Sequence, residues 1–147
     1  MIQLPPVSRD QRKVDDDHLN LLSIFHFVGG GLAFIGILFL LVHFAIIHTI
    51  FTNPNLWKGQ NQMPPPAFLM PIFGFVYLFM AVWFVTSGVL NVMSGFFLRA
   101  RKCRTFSIVV AAIDCLHIPL GTVLGVFTLV VLMRDTVREL YQANSRL

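Results

Sequence analysis

The chain reads as an all-α integral membrane protein with three long transmembrane helices, the third broken at Pro119/Gly121 so that it can supply a fourth half-helix, and a short C-terminal interfacial helix. Three observations predict this. Three apolar runs, Leu19 to Phe51, Ala67 to Leu98 and Thr105 to Met133, are separated by short charged or proline-rich breaks. Each exceeds the roughly 20 residues that a helix needs to cross a bilayer core of about 30 Å. Of the 147 residues 56% are hydrophobic and only 12% charged, against about 25% charged in a soluble domain. The polar stretches are too short to build cores of their own, so residues 1–147 form one membrane domain.

The elements follow in order. Residues 1–18 are polar and carry Arg9, Arg12 and Lys13. Span one covers 19–51 and is far longer than a signal-peptide core of about 7–15 residues, so it is expected to stay in the membrane. Asp15, Asp16 and Asp17 are placed to cap its N-terminus. Residues 52–66 form a loop ending in Pro64-Pro65-Pro66, which cannot be helical. Span two covers 67–98. The loop 99–104 holds Arg99, Arg101, Lys102 and Arg104. Cytoplasmic loops collect Lys and Arg, so this loop and the N-terminus are expected inside and the proline-rich loop, with Lys58 alone, outside.

Span three, 105–133, poses a choice, because Pro119, Gly121 and Gly125 interrupt it. A single kinked span leaves Arg134, Arg138 and Arg146 outside. A re-entrant hairpin turning between Leu116 and Thr122 returns them inside, but each half is then only about 21 Å long, short of the hydrocarbon thickness. The length argument favours the kinked span. In the tail 134–147, Val137, Leu140 and Tyr141 share one face of a short helix suited to the headgroup region.

The net charge of +4 lies beside the apolar segments, where it sets topology, and nucleic acid is not an expected partner. Cys103 and Cys115 lack CxxC spacing and are expected as free thiols, with no metal site. The chain has no GxSxG, P-loop or HExxH pattern, so enzymatic chemistry of the soluble type is not expected.

Ionisable groups in lipid cost about 2.5–3.5 kcal/mol each on insertion scales and face protein or water. His26, Asn91 and Asp114 lie seven, seven and nine residues from the inner ends of their runs. At 1.5 Å per residue all three fall about 10–14 Å inside the cytoplasmic boundary and can meet in one layer. Asp114 and His117 are three apart and share a helix face. The layer can be a packing network, a proton or ion site, or a cofactor site. No cofactor is predicted; the alternative is haem b, for which His26, His43 and His117 are the imidazoles to consider, though His117 sits several Å deeper than His26. His18 and His48 fall near opposite surfaces. Gly29 and Gly30 in span one, and Gly88 and Gly95 in span two with Asn91, form smooth stripes that permit close helix packing, within the chain or against another subunit.

Two stretches carry a resemblance. His18-Leu19-Asn20-Leu21-Leu22-Ser23-Ile24-Phe25-His26-Phe27 opens span one, and Pro119-Leu120-Gly121-Thr122-Val123-Leu124-Gly125-Val126-Phe127-Thr128-Leu129-Val130-Val131-Leu132 closes span three. Together they resemble a group of small, uncharacterised bacterial inner-membrane proteins with an H-L-x-L-L-x-I-F-H-F/Y start and a P-x-G-T-x-L-G-x-F-T-x-x-V-L ending. Similar sequences often carry Asn at the position of Asp114 and an apolar residue at that of His117. The resemblance implies the fold and a bacterial inner-membrane location, and no activity. Thr122, after the Pro119/Gly121 break, is placed either to cap the second half-helix or to return its hydroxyl to a freed carbonyl.

The functional expectation is a non-catalytic accessory subunit whose partners are the bilayer and another membrane protein or itself. The alternative is a redox or proton-conducting subunit that uses the buried His and Asp, and a third reading is lipid or ion handling.

Overall fold

The structure is a computed structural model in which residues 9–57, 66–117 and 119–144 are described. Lys58, Pro64, Pro65 and Arg146 lie outside these residues. Among the described residues the fold is all-α. Helix α1 spans Arg9–Thr52, α2 Leu69–Ala100, α3 Arg104–Asp114, α4 Leu120–Leu132 and α5 Asp135–Asn144, with a 3₁₀ turn at Pro54–Leu56 after α1. Among the described residues two helices are long and apolar enough to cross a membrane, Gln11–Thr52 within α1 and Leu69–Ala100. Their outward side chains are large and apolar; Phe39 is 71% and Phe75 72% exposed. Such a surface is stable only with lipid around it, and the chain is a helical membrane-associated protein.

Helix α1 starts by Arg9, well before the apolar run begins. The acidic triplet is therefore inside the helix, which corrects its expected capping role. Asp15 is 1% exposed and accepts from Arg134 Nη1 at 3.1 Å and from the Thr136 hydroxyl. Asp16 pairs with Arg101 at 3.0 Å. Both carboxylates tie helices together instead of serving their own helix end.

The chain divides into two compact units. One comprises α1 up to Gly30 and everything from Val89 onward; the other is Gly31–Gly88. In the second, Gly36 lies under the Phe84 ring, where an added Cβ would meet ring carbons at 2.9–3.3 Å. His43 bonds through Nδ1 to the Tyr77 hydroxyl, and the Phe51 and Phe73 rings meet edge to face at 5.5 Å.

The first unit holds the break in the third apolar run. Helices α3 and α4 have 11 and 13 residues, or about 16 and 20 Å of helix. They fold back on each other. The Arg104 guanidinium, at the start of α3, donates to Leu132 O, at the end of α4, at 2.6 and 2.8 Å. A through-going kinked span would hold those two residues more than about 30 Å apart. The expected single span is thus replaced by a helical hairpin, and the three long helices become two plus this hairpin. The physical reason lies in the turn. Pro119 has no N–H to continue α3, and Gly121 and Gly125 carry no Cβ. A Cβ on Gly121 would stand 2.6 Å from Asp114 O, and one on Gly125 2.3 Å from Ala111 O. The two glycines let the helices close together. Thr122 Oγ1 donates to Cys115 O at 2.9 Å, serving a carbonyl that the end of α3 leaves free.

The hairpin returns the chain to the end where α1 begins. There Leu19, Leu22, Leu98, Val131, Leu132, Val137 and Tyr141 form one apolar cluster. Helix α5 turns away from α4 by 72° and buries Val137 and Tyr141, with Leu140 half-buried. Burial pushes the Tyr141 phenol up to about 12. The α2–α3 loop closes in a helix-ending motif. Lys102 N donates to Phe97 O at 3.0 Å and Arg101 N to Leu98 O at 3.3 Å, with Arg101 at φ 50°. This position ordinarily favours glycine. Here the arginine's pairing with Asp16 explains the residue chosen.

Candidate functional site

Four helices each place one polar side chain at a common point in the first unit. On α1, the buried positions Asp15, Leu19, Leu22 with its neighbour Ser23, His26 and Gly30 are spaced by three or four residues, one face of a helix. His26 is on that face. Asn91 comes from α2, Asp114 from the last residue of α3 and Thr128 from α4. Their exposures are 0%, 5%, 3% and 0%.

The bonds run in series. Asn91 Nδ2 donates to Asp114 Oδ1 at 2.8 Å, since an ionised carboxylate only accepts. The amide oxygen of Asn91 then faces His26 Nδ1 at 2.8 Å. That oxygen is an acceptor, so Nδ1 carries a hydrogen and Nε2 is the nitrogen free to gain or lose a proton. Nε2 lies 3.2 Å from Thr128 Oγ1. His26 Nδ1 is also 3.6 Å from Asp114 Oδ2, an oxygen that has no hydrogen bond among the described residues. A proton on Nε2 makes imidazolium and carboxylate an ion pair, with Asn91 bridging their near sides.

The sequence-predicted layer is thus brought together for His26, Asn91 and Asp114. His117 lies in the turn beyond α3, where its backbone N–H donates to Asp114 O at 2.8 Å. His43 belongs to the other unit, bonded to Tyr77 and stacked on Phe39 at 6.0 Å. Gly29 lies beside Asn91 and Leu124, and Gly95 under the Phe27 ring; Gly30 and Gly88 are buried. One turn from the network, Ser23 Oγ donates to Gly95 O at 2.9 Å and fastens α1 to α2. Thr128 was not among the expected site residues. Its depth matches the layer only when the third run folds back on itself, and its place in the Phe127-Thr128 ending is the one signal the sequence offers.

The haem alternative does not fit His26 as placed. An axial ligand presents a free imidazole nitrogen to the iron, whereas both nitrogens of His26 are held by side chains within a closed layer. Among the described residues no group of three or more His, Cys, Asp or Glu is arranged to hold a metal ion. Both cysteines are free thiols.

Comparison with protein-family models, curated proteins and solved structures finds no match to this chain. Fold and site still define a class: a helical membrane protein in which a helical hairpin and two long helices enclose a histidine–carboxylate network.

Proposed function

We propose that this is a proton-handling membrane protein, with His26–Asn91–Asp114 as its proton-binding site. The observation that carries the reading is the burial of an imidazole and a carboxylate 3.6 Å apart, joined through one amide. Packing alone does not call for it. Interhelical bonds between uncharged groups contribute about 0.6 kcal/mol on average and already fasten helices, as Ser23 does here. An ionisable pair in the same place costs more to insert and supplies what an amide or hydroxyl cannot, a charge that changes with one proton. The apolar cluster of Leu19, Leu22, Leu98, Val131 and Leu132 separates this site from the charged end of the unit. Proton exchange then requires the helices to part, so the site suits a protein that couples proton binding to movement of the hairpin. The accessory role expected from the sequence is compatible with this: a small subunit, in a larger membrane complex or a homo-oligomer, that contributes one proton site.

The test is nitrogen NMR of histidine-labelled protein in lipid nanodiscs, with the His26 signal assigned by its loss in His26→Ala. The expected result is an imidazole that moves between the charged form and the Nδ1–H neutral form between about pH 4 and 9, with a profile altered in Asp114→Asn. An imidazole that keeps one protonation state throughout overturns the reading.

We place the basic end on the cytoplasmic side of a bacterial inner membrane. The N-terminal part of α1, Arg101 in the α2–α3 loop, Arg104 at the start of α3, Arg134 between α4 and α5, and Arg138 on α5 lie at that end, tied by the pairs Arg101–Asp16 and Arg134–Asp15, and the charge rule assigns it to the inside. Cys103 is exposed in that loop. A membrane-impermeant thiol reagent is expected to label it in inverted vesicles and to leave it unlabelled in intact spheroplasts; the opposite pattern reverses the orientation.

A further inference from the structure

We propose that Thr128 is the positioning residue that holds the proton on His26 Nε2. The inference rests on the proton-binding reading and adds the group that makes the charged state selectable. Thr128 Oγ1 lies between two groups, His26 Nε2 at 3.2 Å and Leu124 O at 2.8 Å, and it has one hydrogen to give.

The two protonation states use that hydrogen differently. With Nε2 protonated, every donor has an acceptor in sequence. Nδ1–H donates to Asn91 Oδ1, Nε2–H to Thr128 Oγ1, and the Thr128 hydroxyl to Leu124 O. With Nε2 bare, the hydroxyl must turn from Leu124 O to the ring. That carbonyl already receives a backbone bond within α4, so its loss is tolerated, but the hydroxyl can no longer serve both neighbours. The closer approach to Leu124 O is the geometry of the charged chain. Thr128 therefore gives the imidazolium an uncharged acceptor on the edge opposite Asp114, and its hydroxyl reports the charge to the backbone of α4, one element of the hairpin.

The surroundings leave this role to few groups. Asp114 on α3 is the charged residue facing His26. Asn91 on α2 and Thr128 on α4 are uncharged, Ser23 on α1 is committed to Gly95 O, and His117 stands in the turn, bonded through its backbone N–H to Asp114 O.

The experiment compares native protein, Thr128→Val and Thr128→Ser by the same nitrogen NMR titration in nanodiscs. Valine keeps the shape of threonine and removes the acceptor, and Thr128→Ala provides the same deletion with less bulk. Thr128→Val is expected to bind the Nε2 proton about tenfold more weakly, releasing it about one pH unit lower than the native chain. Thr128→Ser is expected to restore the native midpoint, because it returns the hydroxyl without the methyl. A Thr128→Val midpoint equal to the native one, or a serine variant that behaves like valine, overturns the role of Thr128 while the proton site stands. A native His26 that never changes protonation state overturns both.

Discussion

Asp114→Leu is expected to destabilise the protein by an amount that grows as the pH falls, and Asp114→Asn is expected to follow the same pH trend from a smaller deficit near neutral pH. Leucine takes away the carboxylate that accepts from Asn91 and neutralises His26. Near neutral pH the ring can remain uncharged, so the loss is that of buried hydrogen-bonding partners, about 1–3 kcal/mol. Below about pH 6.5 the unfolded chain takes up a proton on this histidine, whereas the folded variant offers that proton no carboxylate beside the ring. Each further pH unit then adds about 1.4 kcal/mol of destabilisation. The sign follows from proton counting: the unfolded state binds more protons than the folded variant, so stability rises with pH. Asparagine keeps an oxygen that accepts from Asn91 and removes only the charge, so its deficit near neutral pH is the smaller while its growth on acidification matches that of leucine. Thermal unfolding in mild detergent at several pH values measures all three proteins. A leucine variant whose deficit is constant with pH shows that no charge resides on the His26–Asp114 pair.

Much of this arrangement is legible in the sequence, for reasons that also mark where legibility ends. Run length and the scarcity of charge identify the two long helices, because lipid permits little else. Counting residues from the inner ends of the runs brings His26, Asn91 and Asp114 to one level, since helical rise converts sequence distance directly to depth. That arithmetic works on each helix separately. It fails where the chain reverses. Thr128 lies fourteen residues beyond Asp114, which in a through-going span puts it some 20 Å away, and the hairpin instead sets it against His26. The charge rule pointed to reversal and helix length argued against it. The length criterion lost because it presumes that each helix must cross lipid, whereas α3 and α4 lie against each other and need not. The acidic triplet defeats local pattern for a related reason. Asp15 and Asp16 border an apolar run and so resemble caps, but their partners Arg134, Thr136 and Arg101 are at least 85 residues away, beyond the reach of local pattern.

The hairpin itself gives the second large effect, at Gly125. A single methyl there is expected to do more damage than most side-chain deletions elsewhere in the chain. An alanine Cβ would stand 2.3 Å from Ala111 O, 2.7 Å from Cys115 Sγ and 2.9 Å from Cys115 N. Two of those atoms are backbone and cannot rotate aside, so α3 and α4 must separate. Overpacking of this kind costs about 1–3 kcal/mol or more, and it opposes the gain of up to about 1 kcal/mol that alanine ordinarily brings to a helix in place of glycine. Gly31→Ala is the matched control: beyond its chain neighbours and the nearby backbone of its own helix, its added Cβ meets no described atom within 4 Å, so the propensity gain should appear alone and the variant should equal or exceed the native chain in stability. The effect of Gly125→Ala should also reach the site. Thr128 is three residues further along α4, on the same face, and a shifted α4 lengthens its contact with His26 Nε2. The His26 nitrogen signals are expected to move in Gly125→Ala and to hold still in Gly31→Ala. If both variants unfold alike and leave those signals unchanged, then the close contact of α3 with α4 at Gly125 is not what holds Thr128 against the imidazole.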